Sequence, residues 1–213
     1  MGYAVAAYFL FYCAVFVAWK VEDYYIRTHI PVVIANKKAN ESLSSAVKLG
    51  NWKEVVLVLG TPLRHVYDGG PKPRINAANA AADQLLVGGP RAAAAVVQFG
   101  LNNDGPQVRF MSMRVLGRIG HEEYAPAILE ALQKENQRSP TPDACVLVFG
   151  AESLCLLGMR QEAKPILRRV YSLAEPEEFV FLQDRPVASS THDLVRRLDA
   201  RFNLHLFANP NQQ

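Results

Sequence analysis

The sequence predicts an all-α chain, an N-terminal transmembrane helix followed by an α-solenoid of about four helical hairpins. Three observations carry that prediction. Residues 3–19, YAVAAYFLFYCAVFVAW, contain no charge. Beyond Asn40, apolar residues recur at intervals of three and four, and glycine or proline punctuates every ten to fifteen residues. Gly50, Gly88, Gly120 and Gly158 are each followed eight and nine residues later by an apolar pair, at intervals of 38, 32 and 38 residues.

The apolar run comes first. Seventeen uncharged residues in a helix rise roughly 25 Å, the short end of what spans a bilayer. Tyr3 at one end and Trp19, Tyr24 and Tyr25 at the other suit an interfacial aromatic belt. A cleaved signal peptide fits less well, because no Lys or Arg precedes the run and no small-x-small cleavage site follows. A buried core helix also fits less well, since the run has no polar face beyond its tyrosine hydroxyls. Lys20, Arg27, Lys37 and Lys38 all follow the span, so the positive-inside rule places the N-terminus outside and the large C-terminal part in the cytoplasm, or on the matrix or stroma side in an organelle. Ala4, Ala7, Ala14 and Ala18 fall near one line of this helix, a small-residue face on which another membrane helix could pack. These features divide the chain into a span at 1–21, a juxtamembrane connector at 22–39, a repeat domain at 40–175 and a cap or tail at 176–213.

The repeat follows from helical-hairpin physics. A glycine closing one helix supplies the left-handed conformation of the turn, and an apolar pair two turns further on faces back to the first helix. The pairs are Val58-Leu59, Val96-Val97, Ile128-Leu129 and Ile166-Leu167. One hairpin cannot bury both of its faces, so neighbours must stack. Small residues, Ala77 to Ala82 with Asn79 among them and Ala92 to Ala95, permit close helix approach. The run EVVLVLG at 54–60 reads as helix by its place in the repeat, and no stretch alternates convincingly as a strand.

Residues 108–132, VRFMSMRVLGRIGHEEYAPAILEAL, resemble a HEAT-like repeat of the type named after phycobilisome lyases. Val108, Arg109, Leu116, Gly117, Ile119, Gly120, Ala125, Ile128, Leu129 and Leu132 carry the resemblance. It is good over this one unit and looser across residues 40–175, where the units at Gly50 and Gly88 lack the Val-Arg element.

Motifs for chemistry are few. His121-Glu122-Glu123 falls in the first turn of a second helix, where carboxylates oppose the helix dipole, and position 125 is Ala rather than the second histidine of a zinc protease. The five histidines are scattered without ligand spacing, and Cys13, Cys145 and Cys155 form no C-x-x-C pair. No cofactor, metal or catalytic residue is therefore expected. The segments at 67–74 and 135–143 read as loops, with Asp143 near the next helix start. In the tail, residues 179–182 form an apolar cluster in a loop, and a helix begins near Ser190 or Thr191 with Leu194, Leu198 and Phe202 on one face.

A net charge of +3 is too small to point to nucleic acid as a partner. The reading that follows is a non-enzymatic, single-pass membrane-anchored scaffold, an accessory or assembly subunit of a larger membrane complex. Its partners would be protein subunits and the lipid bilayer. Lys164, Arg168 and Tyr171 share one face of the last hairpin, opposite Ile166, Leu167 and Val170, and are the candidate partner-binding residues. The resemblance implies an alternative, a bilin-lyase-like or chromophore-handling factor; a membrane-tethered adaptor recruiting a soluble protein is a third.

Overall fold

The computed structural model describes residues 15–17, 20, 31–61, 76–138, 142–173, 179–181 and 188–207. Its helices pair as the glycine spacing requires. The first hairpin is α1 (Pro31–Leu49) with α2 (Trp52–Val58), and the second is α3 (Ala77–Val87) with α4 (Gly89–Ala95). The third is α5 (Pro106–Ile119) with α6 (Ala125–Asn136), and the fourth is α7 (Ala144–Leu156) with α8 (Arg160–Leu173). A π-helical turn, Val96–Gly100, extends α4, and a 3-10 turn, Glu122–Tyr124, leads into α6. The first helices form one layer, in which α1 packs on α3, α3 on α5 and α5 on α7. The second helices lie beneath them, and a last helix, α9 (Thr191–Phe202), covers α7 and α8.

Local chemistry sets these boundaries. The side chains of Asn51, Asn76, Asp143 and Ser190 accept hydrogen bonds from the amides of Glu54, Ala78, Val146 and Asp193, capping α2, α3, α7 and α9. Gly50, Gly120 and Gly158 turn the chain in the left-handed region, at φ of 65°, 79° and 85°. In the second hairpin that role passes to Gly89 (φ 69°), while Gly88 stays right-handed. Gly88 serves packing instead, because a Cβ there would lie 2.7 Å from the Trp52 ring.

The core is continuous through the hairpins. Each apolar pair contributes a fully buried member: Leu59, Val96, Ile128 and Leu167 are all inaccessible. Ala77, Ala78, Ala81, Ala92 and Ala93 are likewise buried, as close helix approach requires. Backbone comes close to backbone between α5 and α7, where a Cβ on Gly117 would meet the Ser153 Cβ at 2.7 Å and its Cα at 2.8 Å. Gly150 of α7 is pressed in the same way against Leu132 and Met113.

Several expectations are corrected. The membrane span and the single-pass localisation are overturned: among the described residues no helix is long and apolar enough to cross a membrane. Crossing needs about 20 consecutive apolar residues, whereas the 19-residue α1 carries Lys37, Lys38, Glu41 and Lys48. Val15–Val17 and Lys20 are helical, and the packing alanines Ala4, Ala7, Ala14 and Ala18 lie outside the described residues. Pro31 opens α1, where a missing N–H costs nothing, so the first helix starts inside the segment expected as a connector at 22–39. The expected loop at 67–74 also lies outside the described residues. The 179–182 cluster is not all loop: Phe179–Phe181 (β1) pairs antiparallel with Ala188–Ser190 (β2), in register Phe179 with Ser190. A three-residue strand is too short for alternation to register in sequence. The expected loop at 135–143 begins too early, because Glu135 and Asn136 belong to α6.

The α5–α7 contact yields a test by chemical denaturation. Gly117→Ala forces the Ser153 backbone to move and is expected to cost about 1–3 kcal/mol. Gly105→Ala, whose Cβ would have no neighbour closer than 3.4 Å, is expected to change stability far less.

Candidate protein-binding surface

The rigid base of the surface is a buried ionic cluster in the third hairpin. Arg109 and Glu135 are 5% and 1% exposed, low enough that each needs the other. Their contact is two-pronged: Arg109 Nε lies 2.9 Å from Glu135 Oε2, and Nη2 donates to Oε1 at 3.2 Å. Arg109 Nη1 also donates to the carbonyls of Asn103 and Asp104, at 2.8 and 2.7 Å. Glu135 accepts from the Asp143 amide at 2.9 Å and pairs with Arg138 at 3.1 Å. The cluster therefore ties the turn before α5, both helices of the hairpin and the start of α7 into one unit.

On that base stands the fourth hairpin. Ala163, Leu167 and Val170 bury one stripe of α8, leaving Lys164 half-buried and Arg168 and Arg169 exposed. Arg169 reaches back to the carbonyl of Asn136 at the end of α6, 3.4 Å away. Tyr171 is placed differently from its two predicted companions. Its ring packs between His192 and Phe207, with centroids at 4.1 and 4.6 Å, and its hydroxyl accepts from Arg196 Nη2 at 3.0 Å. His192 Nε2 further bonds the Tyr171 carbonyl at 2.8 Å. Tyr171 is thus a joint between α8 and α9, and its place in a surface is to seat Arg196 beside α8. Sequence reading missed Arg196, because only the fold of the tail brings residues 171 and 196 together. A second tie, Arg201 to Glu152 at 3.0 Å, fixes α9 to α7.

The result is a firmly held surface with cationic groups at Lys164, Arg168 and Arg196, and exposed Arg169 adjoining. Groups for chemistry are arranged otherwise. Among the described residues no three His, Cys, Asp or Glu side chains converge as a metal site would require. His121 is exposed, stacks on Tyr124 and lies 3.7 Å from Glu123. Burial pushes the Cys155 thiol up to about 11, the reverse of what a nucleophilic thiolate needs.

Residues 108–134 match the family described as PBS lyase HEAT-like repeat. The match runs from α5 through most of α6, so it covers the third hairpin with its Arg109 and stops just short of Glu135. Comparison with curated proteins and with solved structures gives no match. The chain is thus similar to a HEAT-like repeat over one unit, within a helical solenoid.

Two outcomes are expected. Removing one partner of the buried pair, by Arg109→Met or Glu135→Leu, should cost about 3–5 kcal/mol in urea unfolding. The double variant should recover part of that loss, which a double-mutant cycle reads directly. In native protein at pH 8, Cys155 should resist a thiol reagent, with labelling only after denaturation, as peptide mapping would report.

Proposed function

We propose that this chain is a non-enzymatic helical-repeat scaffold that binds a protein partner, acting as an accessory or assembly subunit of a larger complex. The observation that supports this most directly is the cationic surface of the fourth hairpin, where Arg168 is exposed beside Lys164 and the seated Arg196. Such a surface suits an acidic partner, since complementary charge steers encounter and sets orientation. The stacked helices hold those groups at fixed separations, so little ordering entropy is lost on binding. The third hairpin's likeness to a HEAT-like repeat agrees with this role. That likeness lends nothing to a chromophore-handling role, because a repeat specifies a scaffold rather than a reaction.

The test compares the full chain with Lys164→Glu/Arg168→Glu in affinity capture at low and high salt. The expected result is a stoichiometric protein partner kept by the parent chain and lost by the variant, at unchanged melting temperature. Capture indifferent to both the charge reversal and the salt would count against the surface. Equal retention of a labelled oligonucleotide by the parent chain would replace the protein partner with nucleic acid.

A further inference from the structure

The four hairpin turns lie along one edge of the solenoid. Trp52, at the first turn, packs on Gly88 of the second. Arg118, at the third, lies 3.9 Å from Asp83, one helical turn before Val87. Glu122, also at the third, comes within 4.0 Å of where a Cβ on Gly158 of the fourth would stand. Each first helix ends on this edge with an apolar residue. Two of these residues stand out of the packing: Leu49 is 82% exposed and Val87 is 79% exposed. Leu156 is 39% exposed, and Ile119 is half-buried against the core.

A single exposed leucine means little. Here two such side chains stand on adjoining turns with half-buried Trp52 between them. Exposed cations flank them, Lys48 at the first turn and Arg91 just after the second, while Lys53 lies over the Phe99 ring. The nearby carboxylates are paired: Glu54 accepts from Ser42 at 3.3 Å, and Asp83 on this edge lies 3.9 Å from Arg118. The third turn is mixed, exposing Glu122 and Glu123 beside Arg118. Anionic groups are therefore favoured most over the first two turns.

Spacing narrows the occupant. Packed neighbouring helices stand about 8–10 Å apart. Same-face residues seven apart on a single helix are separated by about 10.5 Å. A helix lying across the turns would bring one apolar side chain to each first-helix end. We infer that the first two hairpin turns, through Leu49 and Val87, dock an amphipathic helix of a partner protein that is apolar at seven-residue intervals and acidic beside that stripe. This surface belongs to the first two hairpins and stands independently of the cationic face on the fourth.

The experiment uses a fluorescent, lactam-bridged peptide of about 18 residues, with leucine at every seventh position and glutamates flanking the first two leucines. A control peptide carries lysines in place of those glutamates. Anisotropy titrations against the full chain should show the glutamate peptide binding at least about tenfold more tightly than the lysine peptide. Leu49→Asp/Val87→Asp should weaken it by about tenfold or more, with unchanged melting. Lys48→Glu/Arg91→Glu should invert the preference and bind the lysine peptide, which also proves that this variant is folded. Equal binding of the two peptides, or binding untouched by Leu49→Asp/Val87→Asp, overturns the inference. So does loss, in that same variant, of a concentration-dependent dimer seen by sedimentation, which would make a second copy the occupant. Loss of co-sedimentation with phosphatidylserine vesicles would make the occupant a lipid surface and would overturn the inference as well.

Discussion

The buried pair of Arg109 and Glu135 is the constraint on which the middle of the solenoid rests. An arginine and a glutamate at 5% and 1% exposure are tolerable because each neutralises the other, Arg109 Nε facing Glu135 Oε2 as an ion pair without a hydrogen bond, while their other polar atoms find partners. The partners are Asn103, Asp104, Arg138 and the amide of Asp143, so the pair dictates where the chain enters α5 and where α7 begins. Once those points are set, α7 lies so close to α5 and α6 that Gly117 of α5 faces Ser153, and Gly150 of α7 faces Met113 of α5 and Leu132 of α6, with no room for a Cβ. Charge burial and small-residue packing therefore act as one device.

That device explains why the two ends of the molecule can carry different surfaces. The first-helix layer is packed through alanine, glycine and serine, and its helix ends are free to project apolar groups at the turns. The second-helix layer ends in α8, whose exposed side carries cations because its apolar stripe is consumed by α7. The terminal helix completes the arrangement: Leu194, Val195, Leu198 and Phe202 are buried, and Tyr171, His192 and Phe207 form an aromatic joint. A solenoid needs such a cover, since its last hairpin has no further neighbour. Here the cover also adds Arg196 to the surface it protects.

Much of this was legible in the residues. The four glycines, the apolar pairs, the caps at Asp143 and Ser190 and the stripe of Leu194, Leu198 and Phe202 depend on local periodicity and capping, and both are written in neighbouring positions. Arg109 could be singled out by its motif, yet its partner could not. Glu135 sits at the end of α6 beside a polar stretch, and a buried carboxylate there looks in sequence like any solvated one. The exchange of roles between Gly88 and Gly89 was hidden for the same reason, because Trp52 arrives from another hairpin.

Sequence alone established a helical-hairpin repeat, its period, three of its four left-handed turn glycines and the helix that begins at Thr191, because each is a short-range consequence of backbone sterics and apolar spacing. It misjudged the membrane span, reading an uncharged run as sufficient where no described helix is long and apolar enough. It also grouped Tyr171 with Lys164 and Arg168, since helical spacing gives the side of a helix but not what covers it. Which residues remain on the surface was settled by packing between segments far apart in the chain: α9 over Tyr171, α7 over α8, and one hairpin turn against the next. Those contacts depend on relative positions in space, which the order of residues along the chain does not display.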